Sequence, residues 1–138
     1  MSLDIDSALV AKLANTAGVS ALVSTRIHPL RLPDSLGGTL LPAITYQEVS
    51  APIVGTHDES AVNALTHSRF QITAWSTSYS GASAVGKAIF DALEGFSGTV
   101  TSGLDTFLIQ SILRADRRKD NDAETGIYWV IQDFMIWY

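Results

Sequence analysis

The chain has 138 residues, 46% of them hydrophobic and 17% charged, with 10 Gly, 4 Pro and no Cys. This length implies a single domain over residues 1–138, because compact domains most often run to ~100–150 residues, and the composition disfavours disorder and low complexity. Without a thiol, disulfide frameworks, thiolate nucleophiles, Cys-ligated zinc and iron–sulfur clusters are excluded. Nine Lys and Arg against 14 Asp and Glu leave a formal net charge of −5, opposite in sign to the field of a dedicated nucleic-acid binder. The N-terminus is acidic at Asp4 and Asp6, where a signal peptide needs a basic region. No apolar run approaches the ~20 residues of a membrane span, so the expectation is a soluble protein retained in the cytoplasm that makes it.

In chain order, Ile5, Leu9, Leu13 and Ala17 recur every four residues, with Val10 and Ala14 filling the stripe. That rhythm predicts an amphipathic helix. Asp4 or Asp6 caps its start, Gly18 ends it in a left-handed conformation, and Ser20 caps one further short turn over residues 21–23. Arg26-Ile27-His28-Pro29 leads into a loop, because proline drives the residue before it out of helical space. The dense Pro and Gly punctuation from Leu30 to Pro42 predicts irregular chain.

Residues 43–50, β-branched and aromatic, predict a strand that Pro52 stops. The stretch 53–67 lacks a clean period and is expected to be a long loop, with or without a short turn of helix; such loops are often functional. From Arg69 to Trp75, Phe70, Ile72 and Ala74 alternate with Arg69, Gln71, Thr73 and Trp75, a half-buried strand. The strongest helical signal follows at Ala82, Val85, Ile89, Ala92, Leu93 and Phe96, capped by Ser78 or Ser80 and terminated by Gly95, with Lys87 and Asp91 paired four apart. A short strand is possible at 99–101, Phe107 to Arg114 predicts another, and a charged turn leads to a last strand from Ile127 to Tyr138. The resulting order is helix, strand, strand, helix, strand, strand, with antiparallel pairing natural for the final hairpin.

The turn holds Arg114, Arg117, Arg118 and Lys119 among Asp116, Asp120, Asp122 and Glu124, a mixed-charge solvated segment rather than a phosphate site. The last strand is harder to place. Five of the chain's twelve aromatic residues lie in its final eleven positions: Tyr128, Trp129, Phe134, Trp137 and Tyr138. Strand alternation points Tyr128, Val130, Phe134, Ile136 and Tyr138 one way and Ile127, Trp129, Ile131, Met135 and Trp137 the other. A sheet with one solvated face should alternate apolar with polar. Either elements of the same chain cover both faces, or one face meets another subunit, since Trp and Tyr are enriched in the buried centres of interfaces.

No catalytic constellation emerges. His28, His57 and His67 share no metal-binding spacing; His57-Asp58-Glu59 is carboxylate-rich, but neighbours in an exposed loop rarely converge on one ion. The serines of 76–80 lack a nucleophile elbow, and neither a phosphate loop nor a dinucleotide fingerprint occurs. No catalytic, cofactor-binding or metal-ligating residue is therefore assigned.

The ordered segments resemble the tail completion proteins, of tail-to-head joining or tail terminator type, of long-tailed phages and prophages. The similar features are Ala21-Leu22-Val23 followed by Arg26-Ile27-His28-Pro29; Leu41-Pro42-Ala43-Ile44-Thr45-Tyr46-Gln47; Arg69-Phe70-Gln71-Ile72 with Trp75; Ala88 to Leu93 with Gly95-Phe96; and the terminal Asp133-Phe134-Met135-Ile136-Trp137-Tyr138. They span nearly the whole chain, and it is their order that carries the likeness. The resemblance implies an α+β fold, a mainly antiparallel sheet of about four strands with two helices packed on one side. It further implies a ring of six copies at the top of the tail tube, in contact with the tube protein and the head connector. Such a protein is made in the host cytoplasm and resides in the virion; it is not an enzyme, takes no cofactor, touches no membrane and meets DNA only as it passes through the lumen.

A ring needs heterologous interfaces that close. Interface candidates are Tyr128, Trp129, Met135, Trp137 and Tyr138 on the last strand, His57, Asp58 and Glu59 in the loop before the second strand, and Arg117 and Arg118 in the charged turn. That turn is more basic than the family pattern, so partner contacts there do not carry over. A different class of function, a small ligand-binding or catalytic α+β domain, would require an enclosed pocket with convergent polar groups.

Overall fold

A computed structural model describes residues 4–32, 41–51, 53–54 and 65–138. Its elements are helix α1 (Ile5–Ala14), helix α2 (Ala17–Val23), strands β1 (Ile27–Pro29), β2 (Ala43–Ser50), β3 (Ile53–Val54) and β4 (Leu65–Ser76), helix α3 (Tyr79–Leu93), and strands β5 (Gly98–Ser102), β6 (Asp105–Ile109), β7 (Ser111–Asp122) and β8 (Ile127–Trp137). The main sheet runs β1-β2-β4-β8-β7, with β3 paired to the start of β4, and β5 and β6 form a separate hairpin. All the pairs are antiparallel except β1 with β2, which is parallel. The sheet is thus mixed, with five strands along its path and three helices, rather than an antiparallel sheet of four strands with two helices.

Each departure has a local cause. The N-terminal helix ends before Gly18: Asn15 is the C-cap of α1, the Thr16 hydroxyl bonds back to the Lys12 carbonyl at 2.7 Å, and Gly18 lies inside α2. Such back-bonding by a threonine competes with helix continuation. The segment Arg26–Pro29, expected only to lead into a loop, holds the edge strand β1 at Ile27–Pro29, where a proline's missing N–H is tolerated. The strand expected at 107–114 divides at Gln110 into β6, which pairs with β5, and β7, which joins the main sheet.

The largest departure is the charged segment, which extends β7 to Asp122 instead of turning. An edge strand has one unpaired side, and charged side chains are compatible with that position. The remaining turn is confined to residues 123–126, where Gly126 adopts φ +70°.

All three helices contribute to one side of the sheet. Leu9, Leu13, Val23, Ile89 and Leu93 from the helices meet Ile44, Phe70, Ile72, Phe134 and Ile136 from the strands in a core whose members are fully buried. Asp4 caps α1 by accepting a hydrogen bond from the Ser7 amide at 2.7 Å, and Ser78 caps α3 through the Gly81 amide at 3.0 Å. Helix α3 approaches β8 closely because residue 86 is glycine: a Cβ there would lie 3.1 Å from Val130 Cγ1. Gln132, buried beneath that helix, donates to the Gly86 carbonyl at 2.9 Å.

Candidate assembly interface

The register of β8 separates its side chains as alternation predicts. Val130, Phe134 and Ile136 lie opposite Ala74, Phe70 and Ser68 on the helix side, while Trp129, Ile131, Met135 and Trp137 lie opposite Trp75, Thr73, Arg69 and His67 on the other. The second face is only partly covered. Trp75 and Trp129 have ring centroids 5.4 Å apart, with the Trp75 indole N–H donating to Thr45 Oγ1 at 2.9 Å. The His67 and Trp137 rings lie 4.4 Å apart. Leu113 of β7, opposite Met135, remains 51% exposed. All three tryptophans of the chain, Trp75, Trp129 and Trp137, therefore sit on one open sheet face.

A charged seam crosses this face between the aromatic pairs. Arg69 donates to Asp133 Oδ2 through Nε at 3.2 Å and Nη2 at 2.7 Å, and the Arg118 Nη2 lies 3.9 Å from the other carboxylate oxygen. Arg118 also pairs with Asp116. The Asp133 carboxylate is almost fully buried while Arg69 keeps over a third of its exposure, so the pair fixes a carboxylate within the sheet and leaves the guanidinium at the surface.

Of the expected interface residues, Trp129, Met135 and Trp137 lie together on this face. Tyr128 and Tyr138 lie on the helix side: Tyr128 packs edge-on to Tyr79, with ring centroids 6.2 Å apart, and Tyr138 packs against Phe107 and shares a hydrogen bond with the Ser68 hydroxyl at 3.0 Å. His57, Asp58 and Glu59 lie outside the described residues. Arg117 and Arg118 take opposite faces of β7.

The bulge in β7 sorts its charges. Arg114 opposes Phe134 and Asp116 opposes Asp133, so Ala115 is the extra residue. Strict alternation would put Arg114 with Asp116 and Arg118; the bulge puts it instead with Arg117 and Lys119, on the helix side. There, Lys87 and Phe90 of α3 face Arg114, Arg117 and Lys119 across a cleft of about 370 Å³. The Arg114 guanidinium lies 4.3 Å over the Phe90 ring and donates to Gln132 Oε1 at 3.2 Å. Lys119 reaches Tyr79 and Ser83, both at 3.4 Å. Composition alone carried no sign of this cleft, because the bulge is what separates the cations from the interleaved acids.

Chemistry is sparse elsewhere. Among the described residues no three His, Asp or Glu side chains are placed to hold a metal ion, and no helix is long and apolar enough to cross a membrane. The family model for tail completion protein gp17 matches residues 7–138. The chain belongs to that family. Membership makes it a structural protein of the phage tail and places it in the virion. No curated protein matches the sequence. Among solved structures, a chain of the virion of a native gene transfer agent particle is similar in fold, with a TM-score of 0.74 and 16% identity over 96% of this chain and 92% of that one. Among its described residues, this tail completion protein thus has one sheet face that is only partly covered and holds all three tryptophans, and a cationic cleft at the β7 edge.

Proposed function

We propose that this tail completion protein assembles as a ring of six copies that ends growth of the tail tube and joins it to the head connector. The observation that carries this reading is the open sheet face: three tryptophans, Ile131, Met135 and Leu113 are too apolar a group for a surface with no partner. Assembly into the tail covers that face, and the protein acts as a structural part without catalysis or a cofactor. A net charge of −5 suits a lumen that lets DNA pass without holding its phosphates.

The packing supports this role over that of a small-molecule binder. An enclosed ligand pocket would be sought between helices and sheet, where Leu9, Leu13, Phe70, Ile72, Ile89 and Phe134 fill the space with no exposure; the clefts open to solvent instead. Electron micrographs and light scattering of the purified protein, alone and with tail tubes, test the proposal. Rings, or caps on tube ends, are expected. A strict monomer that never caps a tube would contradict it.

A further inference from the structure

The two edges of the main sheet carry opposite charge on the same, helical side. At the β7 edge, Arg114, Arg117 and Lys119 face α3, and the Arg117 guanidinium has no carboxylate partner among the described residues. At the other edge, Asp6 of α1 and Glu48 of β2 border a cleft of about 310 Å³ with Pro29 and Leu30, and Leu30 is 69% exposed. Burial, together with the charges of Asp4 and Glu48, holds the Asp6 carboxyl above its ordinary range, and burial, together with the charges of Asp6 and Asp4, raises the Tyr46 hydroxyl. Asp4, Asp6 and Glu48 make this edge acidic. The path β1-β2-β4-β8-β7 puts three strand spacings between Glu48 on β2 and the cations of β7, about 14 Å at ~4.8 Å each, whereas mobile ions screen exposed charges within ~8–10 Å. Neither surface can neutralise the other within one chain.

We propose that successive copies of this chain join edge to edge, the Asp4–Asp6–Glu48 surface of one copy seating on the Arg114–Arg117–Lys119 cleft of the next. The inference rests on the ring reading above and gives it a contact. The two surfaces differ and each copy has one of each, so the contact is heterologous, the kind that closes into rings. Both surfaces also combine charge with apolar area, Leu30 on one side and Phe90 on the other, as a contact core needs. A second copy is favoured over a nucleic acid as occupant because the chain's net charge is −5, which repels a polyanion, while the acidic edge supplies the complementary charge.

Charge reversal tests it. One variant, Arg117→Glu with Lys119→Glu, has two acidic edges; another, Asp6→Lys with Glu48→Lys, has two basic edges. With folding verified by circular dichroism, each variant alone is expected to self-associate roughly tenfold or more weakly than wild type. An equimolar mixture is expected to restore wild-type assemblies in which the two variants alternate. The mixture also guards against misfolding, since an unfolded variant could not be rescued by its counterpart. If wild type forms rings and the reversed variants do too, the edge assignment is overturned and the ring reading stands. If wild type never assembles, even with tail tubes, both fall. A variant with two acidic edges that loses binding to short duplex DNA yet still self-associates would assign the cleft to nucleic acid and overturn the proposal.

Discussion

Along β8, Val130, Phe134 and Ile136 facing the helices are 2% exposed or less, while Trp129, Ile131, Met135 and Trp137 on the opposite face remain partly covered. The two rows are similarly apolar, so residue type does not explain the difference. The chain supplies α1, α2 and α3 to one side of the sheet, and on the other side the described residues place no helix. The helix side is also closed by polar detail, Gln132 tied to the Gly86 carbonyl and to Arg114. On the open side the Arg69–Asp133 pair leaves its cation at the surface. One face is finished within the chain; the other, on the proposed reading, is finished by a partner.

Substitutions can break this contrast, and their effects should decrease in a definite order. Phe134→Ala removes a fully buried ring from the helix side and should cost about 3–5 kcal/mol of monomer stability, read by chemical denaturation at low concentration. Asp133→Ala on the open side should cost less, about 1–3 kcal/mol, towards the lower end because Arg69 can regain water. Trp137→Ala loses the packing against His67 and should cost about 1–2 kcal/mol in the dilute monomer. Its larger effect should be on assembly, measured by light scattering; equal loss in fold and assembly would remove the distinction between the faces.

The smallest effect lies away from both faces. Asp4→Ala deletes the cap of α1 and should cost about 1 kcal/mol at neutral pH. The hydrogen bonds from Ser7 hold the Asp4 carboxyl below its ordinary range. Its contribution is therefore present above the ordinary carboxylate pKa, and the gap between wild type and variant should shrink as pH falls through the depressed value. Thermal melts at neutral pH and at pH 3 measure that gap.

What could be read in advance follows from where local signals dominate. The bounds of β2, the Ser78 cap and apolar stripe of α3, and the two-sided parity of β8 are set by residues within a few positions of one another. The parity also grouped Trp129, Met135 and Trp137 correctly. Strand β7 was not legible, because its charges are compatible with a strand only at a sheet edge, and edge position is a tertiary fact. The same holds for β1, whose Pro29 signals a loop unless the strand is an edge. The division of Arg117 and Lys119 from Asp116 and Asp120 depends on Ala115 being bulged, which no local pattern announces.

The central claim, that assembly covers the open sheet face, has an intrinsic reporter, because Trp75, Trp129 and Trp137 are the chain's only tryptophans and all lie on it. Acrylamide quenching of tryptophan emission in a wild-type sample, before and after assembly onto tail tubes built from a tryptophan-free tube protein, measures their exposure directly. The account predicts reduced quenching and a blue-shifted emission on assembly. Emission and quenching unchanged in assembled particles would contradict it.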